Sequence, residues 1–411
     1  MDHEVVTCFL RNEGRILLAR RSDDAGSYAG QWGAITGYLT PERGASPDDP
    51  ETAAYREIRE ETGLEDVTLL RQGDPLTVED PDRGTRWRVH PFLFETATRK
   101  IEPNWELPEY EWTHATAIRR RETVPDLWRS YDRVRPTIET VTTDDEHGSA
   151  WLSLRALDVL SDEAALSADF ERVADVAREL PAARPSMAVV ENRINRVMSR
   201  AGTAPADVEA AAKEAIASAV EADRTAAAVA ADRIEGARVC TLSRSGTVQN
   251  ALKRADPEAV LIAESRPGGE GIDVAESLAG DCEVTLTSDA ALAGQLTTFD
   301  ADAVVVGADT ILPDGRVLNK VGTHGLALAA NAHDLPCYAV AAADKITPDT
   351  TVDIEQAPMT LYEGDADVAV ANPLFETIPA DLWTGICTDE GTLDADDVRD
   401  IATQHRSRRQ W

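Results

Sequence analysis

The stretch Arg56-Glu57-Ile58-Arg59-Glu60-Glu61-Thr62-Gly63-Leu64 carries the strongest structural signal in this chain. On a helix, Glu57 lies on the same side as Glu60 and Glu61, because side chains three and four positions apart are neighbours. Like charges at that spacing repel one another, so a cation is the simplest reason to collect them, and carboxylate oxygens favour Mg²⁺ or Mn²⁺. The alternative is a charged face that contacts only water. We call these three glutamates the acidic trio.

The residues before the acidic trio predict a helix over residues 50–63. Pro50 fits the first helical turn, where its missing N–H removes no hydrogen bond, and Gly63 fits a helix end. Ala53, Ile58 and Thr62 recur on related faces, as in a helix that packs against a core. We therefore expect the acidic trio near the end of one packed helix.

This helix resembles the second half of the Nudix box, the signature of the Nudix hydrolases. In that pattern a Gly, five residues, a Glu and seven residues precede Arg-Glu-aliphatic-x-Glu-Glu-x-Gly-aliphatic. Asp48 stands where the family has the first Glu, and Gly37 is the best match for the leading Gly. Gly37 lies about five residues too far upstream, so residues 40–50 are expected to carry an insertion. Thr40 also stands where the family often has an acid.

The Nudix resemblance implies roles for these residues. Glu57, Glu60 and Glu61 would hold Mg²⁺ or Mn²⁺, and Arg56 would orient the carboxylates. Family members hydrolyse nucleoside diphosphates linked to another group, by attack of a metal-activated water on phosphorus. An acid from a later loop often acts as a base or a metal ligand. Glu106 is in a similar context here, with Glu109 and Glu111 as alternatives. The resemblance thus makes Glu57, Glu60 and Glu106 the catalytic candidates of this half.

Short apolar runs around the predicted helix indicate strands. They cover residues 4–10, 15–19 and 87–94, and Asn12-Glu13-Gly14 between the first two indicates a hairpin. The Nudix resemblance implies that such strands form a mixed sheet between helices, in an α/β/α sandwich. We expect this first domain to span residues 1–140.

A change of pattern separates this domain from the rest of the chain. Residues 142–148 are polar and show no periodicity, so we place a linker at residues 141–147. Residues 151–235 then show helical periodicity, including an alanine-rich stretch over residues 206–231. We expect a helical subdomain over residues 148–235 and a last domain over residues 236–411.

In the last domain, short β-branched runs alternate with helical segments. The runs cover residues 238–242, 260–263, 283–286, 303–306 and 337–341. Apolar strands between helices predict a Rossmann-like parallel sheet covered on both faces, so the fold class is α/β. Polar residues follow these runs, and ligands of such folds bind at the carboxyl ends of the strands.

The region from about residue 236 to 390 resembles a second family. It is shared by the alpha, beta and delta subunits of translation initiation factor 2B, ribose-1,5-bisphosphate isomerase and methylthioribose-1-phosphate isomerase. The motifs occur in the family's order: Thr241-Leu242-Ser243-Arg244-Ser245-Gly246-Thr247-Val248; Glu264-Ser265-Arg266-Pro267 with Glu270-Gly271; Thr287-Ser288-Asp289; Val306-Gly307-Ala308-Asp309; Asn319-Lys320-Val321-Gly322-Thr323; Asn372-Pro373-Leu374-Phe375-Glu376-Thr377-Ile378-Pro379. The helical region before them, with Ala183-Arg184-Pro185, would be the family's N-terminal helical domain.

These motifs predict a pocket for a sugar phosphate or a nucleotide. Backbone N–H groups after the first strand can bind phosphate at a helix N-terminus, and basic side chains can pair with phosphate oxygens. Asp309 follows a buried strand and could act as an acid, a base or a hydroxyl ligand, with a helix N-cap as the alternative. The predicted substrate-binding residues of the pocket are Ser243, Gly246, Thr247, Arg266, Asn319 and Lys320.

The isomerases of this family have a Cys after the first strand, and it works with the Asp that corresponds to Asp309. Ser243 occupies that place here, and a hydroxyl is not acidic enough to replace a thiol unaided. Cys240 lies three residues earlier, on the opposite face of the strand by period-two alternation. The initiation-factor subunits also carry Ser at this place. The resemblance therefore favours a binding or sensing pocket over an isomerase.

Composition sets limits on location and partners. The 411 residues contain 74 Asp and Glu but 41 Lys and Arg, so the formal net charge is −33. The acids are spread along the chain, which favours a salt-loving source, such as a halophilic archaeon, over an acidic binding surface. So negative a chain should repel nucleic acid. Five cysteines with long spacings argue against disulfides or zinc, and the absence of a signal or a membrane-spanning run predicts a cytoplasmic protein.

Three functional hypotheses follow. In the first, a Nudix hydrolase cleaves a nucleoside-diphosphate compound such as ADP-ribose, and the second domain binds a product such as AMP or ribose 5-phosphate. The second hypothesis is an active ribose-1,5-bisphosphate isomerase, in which another group does the work of the thiol. The third is a regulatory or translation-associated protein without catalysis. The second resemblance also implies a homo-oligomer that assembles through the C-terminal domain.

Overall fold

A computed structural model describes residues 2–24, 27–40, 48–352, 354, 361–362, 364 and 366–411. The insertion predicted for residues 40–50 falls largely on residues 41–47, which lie outside the described residues. The chain forms two compact units. The N-terminal unit comprises Met1–Thr137 and Ser161–Leu166, and the C-terminal unit comprises Ile138–Leu160 and Ser167–Trp411. We describe each unit by itself.

The N-terminal unit is built around one mixed sheet. Its elements are β1 (Asp2–Asn12), β2 (Arg15–Arg20), β3 (Trp32–Gly33), β4 (Ile35–Tyr38), α1 (Pro50–Thr62), β5 (Thr68–Gln72), β6 (Leu76–Asp80), β7 (Thr85–Glu95), β8 (Glu109–Thr113), a 3₁₀ helix (Ala115–Arg120) and α2 (Leu127–Asp132). The strand order is β3-β2-β1-β7-β5, and β4, β6 and β8 pair with β1, β7 and β2. β1 and β7 are parallel, and the other pairs are antiparallel. The predicted hairpin after β1 is confirmed.

The two faces of this sheet are covered by different helices. Side chains alternate along β1, so that Val6 and Cys8 face one side and Phe9 faces the other. Val6 and Cys8 pack in a core with Ile58 of α1, whereas Phe9 packs in a core with Tyr131 of α2. A sheet between helices confirms the α/β/α sandwich predicted for this part of the chain.

Local sequence explains where α1 begins and ends. The Asp49 carboxylate accepts the Thr52 N–H at 3.1 Å, and Pro50 occupies the first turn. Gly63 ends the helix with φ 70°, a left-handed conformation that glycine adopts without steric cost. The predicted helix over residues 50–63 is thus confirmed.

Five helices precede the second sheet. They are α3 (Ile138–Thr143), α4 (Ser149–Leu166), α5 (Phe170–Ala183), α6 (Ala188–Arg200) and α7 (Pro205–Ala231). The structure differs from the prediction at the linker, because Thr142 and Thr143 end α3. Their hydroxyls donate to the carbonyls of Ile138 and Glu139, four residues earlier, so polar residues without an apolar period still form a helical turn.

The rest of the C-terminal unit alternates strands and helices. Its elements are β9 (Arg238–Thr241), α8 (Gly246–Ala255), β10 (Ala259–Ala263), α9 (Glu270–Leu278), β11 (Glu283–Thr287), α10 (Asp289–Phe299), β12 (Ala303–Gly307), β13 (Thr310–Ile311), β14 (Val317–Lys320), α11 (Thr323–Ala332), β15 (Cys337–Val340), a 3₁₀ turn (Ala343–Lys345), β16 (Phe375–Ile378), a 3₁₀ turn (Ala380–Leu382), β17 (Gly385–Thr388), β18 (Gly391–Leu393) and α12 (Ala395–Ser407). All five predicted strand runs coincide with strands of the structure.

The main sheet has the order β11-β10-β9-β12-β15-β17-β18, and its strands are parallel except for β18. Val239 packs on one face with helices that include α7 and α8, and Cys240 packs on the other face with α10 and α11. This doubly covered parallel sheet confirms the predicted Rossmann-like domain. Strand order reverses between β9 and β12, and such a switch point opens a crevice for ligands.

Three further features complete the fold. β13, β14 and β16 form a separate antiparallel sheet, which the sequence patterns did not indicate. All five cysteines are free thiols, in agreement with the predicted absence of disulfides. Within the described residues, no helix has the length and apolar character needed to cross a membrane.

Candidate functional site

The acidic trio lies on the last turns of α1, and its members differ in burial. Glu57 and Glu61 are buried, whereas the Glu60 side chain is 56% exposed. Gly37 of β4 packs against Glu57, since a Cβ at residue 37 would lie 1.7 Å from Glu57 Cδ. The glycine matched to the start of the Nudix pattern thus leaves room for a carboxylate of the acidic trio.

Arg56 connects the acidic trio to the segments before α1. Its guanidinium donates to the Tyr38 carbonyl at 2.8 Å and to Asp48 Oδ2 at 3.2 Å, and it forms an ion pair with Glu57. Glu60 Oε2 lies 4.0 Å from Arg56 Nη1. Arg56 therefore contacts two members of the acidic trio, which is the arrangement that an orienting role requires.

The loop before β8 brings a fourth carboxylate to the acidic trio. The Asn104 N–H donates to the Glu61 carbonyl at 3.2 Å, and Asn104 Oδ1 accepts the Glu106 N–H at 2.8 Å. These bonds tie the loop to the end of α1. The negative charge of Glu106 contributes to the raised pKa of both Glu57 and Glu61, so Glu106 lies near these two side chains.

The two alternatives to Glu106 have other partners. Glu109 forms an ion pair with Arg20 at 3.2 Å, and Glu111 forms one with Arg121. Neither is among the main causes of the raised pKa of Glu57 or of Glu61, whereas Glu106 is. Of the three candidates, the structure brings Glu106 to the site.

Electrostatic strain is greatest at Glu61. Burial raises the pKa of its carboxyl well above the ordinary value, and the charges of Glu106 and Glu57 raise it further. The Thr36 N–H and the Arg21 guanidinium act in the opposite direction. A bound cation would stabilise the charged form of carboxylates that lie close together in a partly buried site.

The donor chemistry of this cluster fits Mg²⁺ or Mn²⁺, both of which prefer carboxylate oxygens. Among the described residues, however, no three His, Cys, Asp or Glu side chains are already arranged around one metal position. Glu60, the most exposed of the acidic trio, has the most freedom to turn toward such a position. The predicted metal ligands are therefore neighbours whose side chains would adjust on binding.

An open cleft lies beside the acidic trio. Thr36 and Gly37, which contact Glu61 and Glu57, form part of its lining. The sequence patterns did not indicate its aromatic wall, which comes from β4, β7 and the loop after β2. The aromatic residues and the one basic residue of its lining are Tyr28, Tyr38, Trp87 and Arg21.

The second candidate site lies at the switch point of the parallel sheet. Ser243 follows β9 with φ 62°, and Ser245 caps α8 by accepting the Val248 N–H at 3.4 Å. Gly307 at the end of β12 lies against this turn, since a Cβ there would be 2.8 Å from Ser245 Oγ. The close approach of the two strand ends requires a glycine at position 307.

Helix α8 presents its N-terminus at this point. The first N–H groups of an α-helix have no partner within the helix, and they carry partial positive charge. Gly246 is exposed, and a Cβ there would contact nothing within 4 Å, whereas Thr247 is buried. The N-terminus of α8 is thus exposed at Gly246, and anion binding there stays a prediction.

Arg266 lies beside the Ser243 turn. The Ser243 N–H donates to Ser265 Oγ at 2.6 Å, and the N–H groups of Ser265 and Arg266 donate to the Asp289 carboxylate at 2.9 and 2.7 Å. The Arg266 guanidinium pairs with Glu264 at 3.0 Å and is 60% exposed. Its backbone is therefore fixed while its charged group remains accessible.

Asn319 and Lys320 come from β14. The Lys320 side chain is 5% exposed, and its Nζ donates to Glu270 Oε1 at 2.6 Å. Asn319 Nδ2 donates to Thr323 Oγ1, which in turn donates to the Lys320 carbonyl. Glu270, which the sequence identified only as part of a motif, is the ion-pair partner of this buried lysine.

Asp309 lies between β12 and β13. Because a strand and not a helix follows it, the alternative that Asp309 is a helix N-cap is wrong. Its N–H donates to the Leu318 carbonyl at 2.9 Å, and its Oδ1 accepts the Ser149 hydroxyl at 3.1 Å. Lys345 Nζ donates to the neighbouring Ala308 carbonyl at 2.5 Å. Burial lowers the pKa of Lys345, and the charge of Asp309 opposes that shift. No local pattern pointed to Ser149 or Lys345, because both are distant from Asp309 along the chain.

Cys240 does not replace the missing thiol. It is fully buried in the core under β9, with Cys337 among its neighbours, and burial raises the pKa of its thiol. Ser243 occupies the turn after the strand, as the sequence indicated. The site therefore offers a hydroxyl where the family's isomerases have a thiol.

Two protein-family models match the chain. The model of the NUDIX domain matches residues 1–134, and the model of the Initiation factor 2 subunit family matches residues 145–395. The second match covers more than half of the chain.

Curated relatives match part of the chain. A translation initiation factor eIF-2B subunit 2-like protein of Pyrococcus furiosus is 31% identical over 274 residues, which cover 64% of this chain and 96% of the relative. The methylthioribose-1-phosphate isomerase of Acaryochloris marina is 35% identical over 175 residues, or 39% of this chain. The chain spans about half the length of such isomerases, 49% for this one and 48% for that of Nematostella vectensis.

Solved structures share the same fold. The translation initiation factor eIF-2B of Pyrococcus horikoshii has a TM-score of 0.56 at 26% identity, with 62% of this chain and 94% of that chain covered. The 5-methylthioribose 1-phosphate isomerase of the same organism has a TM-score of 0.53 at 22% identity, with coverages of 66% and 86%. The chain belongs to the Initiation factor 2 subunit family and carries a NUDIX domain ahead of that family's domain.

Proposed function

We propose that the N-terminal unit is a metal-dependent Nudix-type hydrolase of a nucleoside-diphosphate-linked compound such as ADP-ribose. The observation that carries this proposal is the acidic trio beside an aromatic cleft. Glu57, Glu60 and Glu61 would hold Mg²⁺ or Mn²⁺, with Glu106 as a further ligand or as the base. The metal, when bound, activates water and neutralises charge on the pyrophosphate.

The residues of the chain supply binding and orientation. A flat base can stack on the aromatic wall of the cleft, which contains Tyr28, Tyr38 and Trp87. Arg21 in the same lining can pair with a phosphate oxygen. The diphosphate would then lie toward Gly37, beside Glu57, where the acidic trio can act on it.

Product release from a panel of nucleotide sugars and dinucleotides, with Mg²⁺ or Mn²⁺ and high salt, tests this proposal. We expect the wild type to release AMP from ADP-ribose and Glu60→Gln to lose at least about 100-fold in kcat. Glu51→Gln, an exposed acid in the first turn of the same helix, is the matched control and should keep full activity. A wild type that cleaves no member of the panel would contradict the proposal.

We propose further that the C-terminal unit binds a phosphorylated ribose or a nucleotide at the switch point. The carrying observation is the open N-terminus of α8 close to Arg266. AMP and ribose 5-phosphate, the products of ADP-ribose cleavage, have the required phosphate and hydroxyl groups. Because some relatives are isomerases, isomerisation of a sugar phosphate is the alternative function. Ser243 in place of the thiol favours binding of the ligand without isomerisation.

Calorimetric titration with AMP and with ribose 5-phosphate tests the second proposal. Arg266→Gln should weaken binding about tenfold or more, through loss of a charge-assisted hydrogen bond. The exposed Arg254→Gln on α8 should have no effect. NMR of ribose 1,5-bisphosphate with the wild type should show binding without conversion. Conversion to a ketose would instead establish the isomerase, and absence of any binding would favour a purely regulatory protein.

We also propose that the chain is cytoplasmic and assembles into a homo-oligomer through its C-terminal unit. One structure of similar fold, at 18% identity and a TM-score of 0.54, is the tetrameric eIF2B-beta2-delta2 complex of C. thermophilum. Light scattering of the purified chain in high salt measures its mass directly. A mass of one chain would contradict the proposed assembly.

A further inference from the structure

We propose that the C-terminal unit has a second anion site, where α6 and α12 end and α7 begins, for the phosphate group of a small phosphorylated polyol. Arg196 and Arg200 of α6 and Arg408 at the end of α12 would hold the phosphate. We call these three side chains the arginine cluster. The residues proposed for the switch point come from other elements, so the second site goes beyond the function proposed above and is tested separately.

The arginine cluster brings like charges together. Arg196 and Arg200 are four residues apart on α6 and therefore lie on the same side of that helix. Burial lowers the pKa of the Arg196 guanidinium to about 10, and the charges of Arg408, Arg193 and Arg200 add to this shift. Burial also lowers the pKa of Arg408, the charge of Arg200 lowers it further, and the charge of Glu390 opposes the shift. Positive groups thus repel one another here, in a chain with 74 acidic and 41 basic residues.

The arginine cluster lacks carboxylate partners of its own. Arg196 forms an ion pair with Asp344, but this buried carboxylate also pairs with Arg193 at 3.1 Å. Arg196 Nε is buried and has no hydrogen-bond partner. Within the described residues, neither Arg200 nor Arg408 forms an ion pair. An oxyanion between the three side chains would supply the missing acceptors.

The ends of the two helices offer a simpler explanation for two of these arginines. A positive side chain near a helix C-terminus is favourable, because the last carbonyls carry partial negative charge. Arg200 is the last residue of α6, and Arg408 follows the last residue of α12. This explanation accounts for each residue alone. It does not explain why both lie near Arg196, where their charges repel, or why the Arg196 Nε is buried without an acceptor.

A cavity of about 330 Å³ adjoins the arginine cluster. Arg196 and Arg200 line it from α6, and Asp207 and Glu214 line it from α7. In the part of the chain that the structure describes, no ion pair joins these acids to the arginines. The cavity therefore separates opposite charges that would otherwise pair. Its volume is at the lower end of the range for small-molecule sites, which fits a phosphate with a short organic group.

The lining of the cavity indicates what that organic group is. Carboxylates accept hydrogen bonds from hydroxyls and repel phosphate, so Asp207 and Glu214 would orient a ligand with its phosphate toward the arginines and its hydroxyls toward α7. Small side chains of α7, namely Ala210, Ala211 and Ala215, leave room between the two ends. Among the described residues of the lining there is no aromatic side chain on which a base could stack. A sugar phosphate therefore fits this cavity better than a nucleotide does.

Titration calorimetry of the full chain with inorganic phosphate, at a fixed KCl concentration, tests the arginine cluster. The titrations use Arg266→Gln protein, so that the switch point contributes little to the signal. We expect Arg200→Gln and Arg408→Gln, each added to this protein, to weaken phosphate binding about tenfold or more. Arg172→Gln, at an exposed position on α5, is the matched control and should have no effect. Unchanged binding in both cluster variants, or no binding before they are added, would overturn the proposal.

Thermal unfolding separates a ligand site from a structural role of the same arginines. Without phosphate, the Tm of Arg408→Gln should equal or exceed that of the wild type, because the substitution removes repulsion. Saturating phosphate should raise the Tm of the wild type more than that of the variant, since a ligand stabilises only the state that binds it. A lower Tm of Arg408→Gln without phosphate would show that Arg408 supports the fold, and would overturn its assignment to a ligand site.

Ribose 5-phosphate as a second probe tests the predicted polyol. In the Arg266→Gln protein it should bind about fivefold more tightly than inorganic phosphate, because its hydroxyls reach the acids of α7. Glu214→Ala should remove this advantage without weakening the binding of inorganic phosphate. Equal affinities for the two probes before Glu214 is changed would overturn the assignment of a polyol.

Hydrogen–deuterium exchange of the same protein locates the bound phosphate. Exchange should slow in the last turn of α6 and the first turns of α7, and it should stay unchanged in α10. If ribose 5-phosphate binds the wild type and only Arg266→Gln weakens that binding, the switch point stands and the second site is wrong. If only the substitutions in the arginine cluster weaken it, the second site stands and the proposed binding at the switch point is wrong.

Discussion

Single residues set the geometry of the proposed hydrolase site, and Gly37 is the clearest example. Its neighbour is the carboxyl end of Glu57, a group that can swing away but would then leave its place in the acidic trio. A methyl group at this position should therefore damage activity more than stability. The effect would come from misplacement of a carboxylate and not from loss of a contact.

For Gly37→Ala we expect kcat to fall about 100-fold, while Tm changes little. A catalytic carboxylate that is displaced by about 1 Å can cost that much activity. The assay is ADP-ribose cleavage with Mg²⁺, and thermal unfolding checks the fold. Gly280→Ala, where a Cβ would contact nothing within 4 Å, is the control and should be fully active. Full activity of Gly37→Ala would show that the position of Glu57 is not critical.

Ser149 and Lys345 show which parts of the site a single sequence does not reveal. Ser149 lies 160 residues from Asp309, and its hydroxyl bonds to that carboxylate only because the fold places α4 at the edge of the sheet. Lys345 reaches the Ala308 carbonyl across 37 residues. Motif order identified Asp309, Arg266 and Lys320, but nothing local marks Ser149 or Lys345 as their neighbours.

At the scale of elements, local chemistry explains what could be predicted. Helix α1 has a capping residue, a proline in its first turn and a glycine stop, so its bounds follow from the sequence. The strands of the parallel sheet are continuous apolar runs and could be recognised as such. The sheet of β13, β14 and β16 could not, because its strands have two to four residues and β14 pairs with a strand far along the chain.

Helix α12 carries a buried histidine that should make the stability of the C-terminal unit depend on pH. His405 is buried, its Nδ1 lies 2.8 Å from the Ile346 carbonyl, and its Nε2 lies 4.0 Å from Asp344 Oδ1. Burial lowers the pKa of His405 to about 4, and the charges of Arg408 and Arg196 add to the shift. The Ile346 carbonyl and the charge of Asp389 oppose it.

The sign of the effect follows from proton binding. Between pH 6.5 and about 4 the unfolded chain binds a proton at His405 and the folded chain does not, so acidification favours unfolding. The free energy of unfolding should fall by up to about 3 kcal/mol over this range from His405 alone. Urea unfolding at several pH values, in high salt, measures the slope.

The matched variants isolate this contribution. His405→Asn keeps a donor near the Ile346 carbonyl but cannot take up a proton, so its stability should change less between pH 6.5 and 4 than that of the wild type. His333→Asn, at an exposed position, should keep the slope of the wild type. Equal slopes for His405→Asn and the wild type would show that His405 does not control this dependence.

At the scale of the whole molecule, the charge is the dominant feature. A formal net charge of −33 on 411 residues causes self-repulsion that favours expansion of the chain. Only five of the basic residues are lysines: Lys100, Lys213, Lys253, Lys320 and Lys345. The acidic residues occur in both units. A dispersed charge of this kind acts on stability and solubility and does not identify a partner.

Salt should therefore stabilise the protein as a whole. Raising KCl from 0.1 to 1 M shortens the screening length from about 10 to about 3 Å, so that repulsion between surface carboxylates is largely removed. If the gain is about 3 kcal/mol, Tm should rise by about 3–4 °C, because the entropy of unfolding of a 411-residue chain is large. Differential scanning calorimetry in a KCl series measures the change, and sucrose at matched osmolality is the control for a general effect of solutes. A Tm that stays constant or falls with KCl would contradict adaptation to high salt, and the acidic surface would then need another explanation, such as a basic partner.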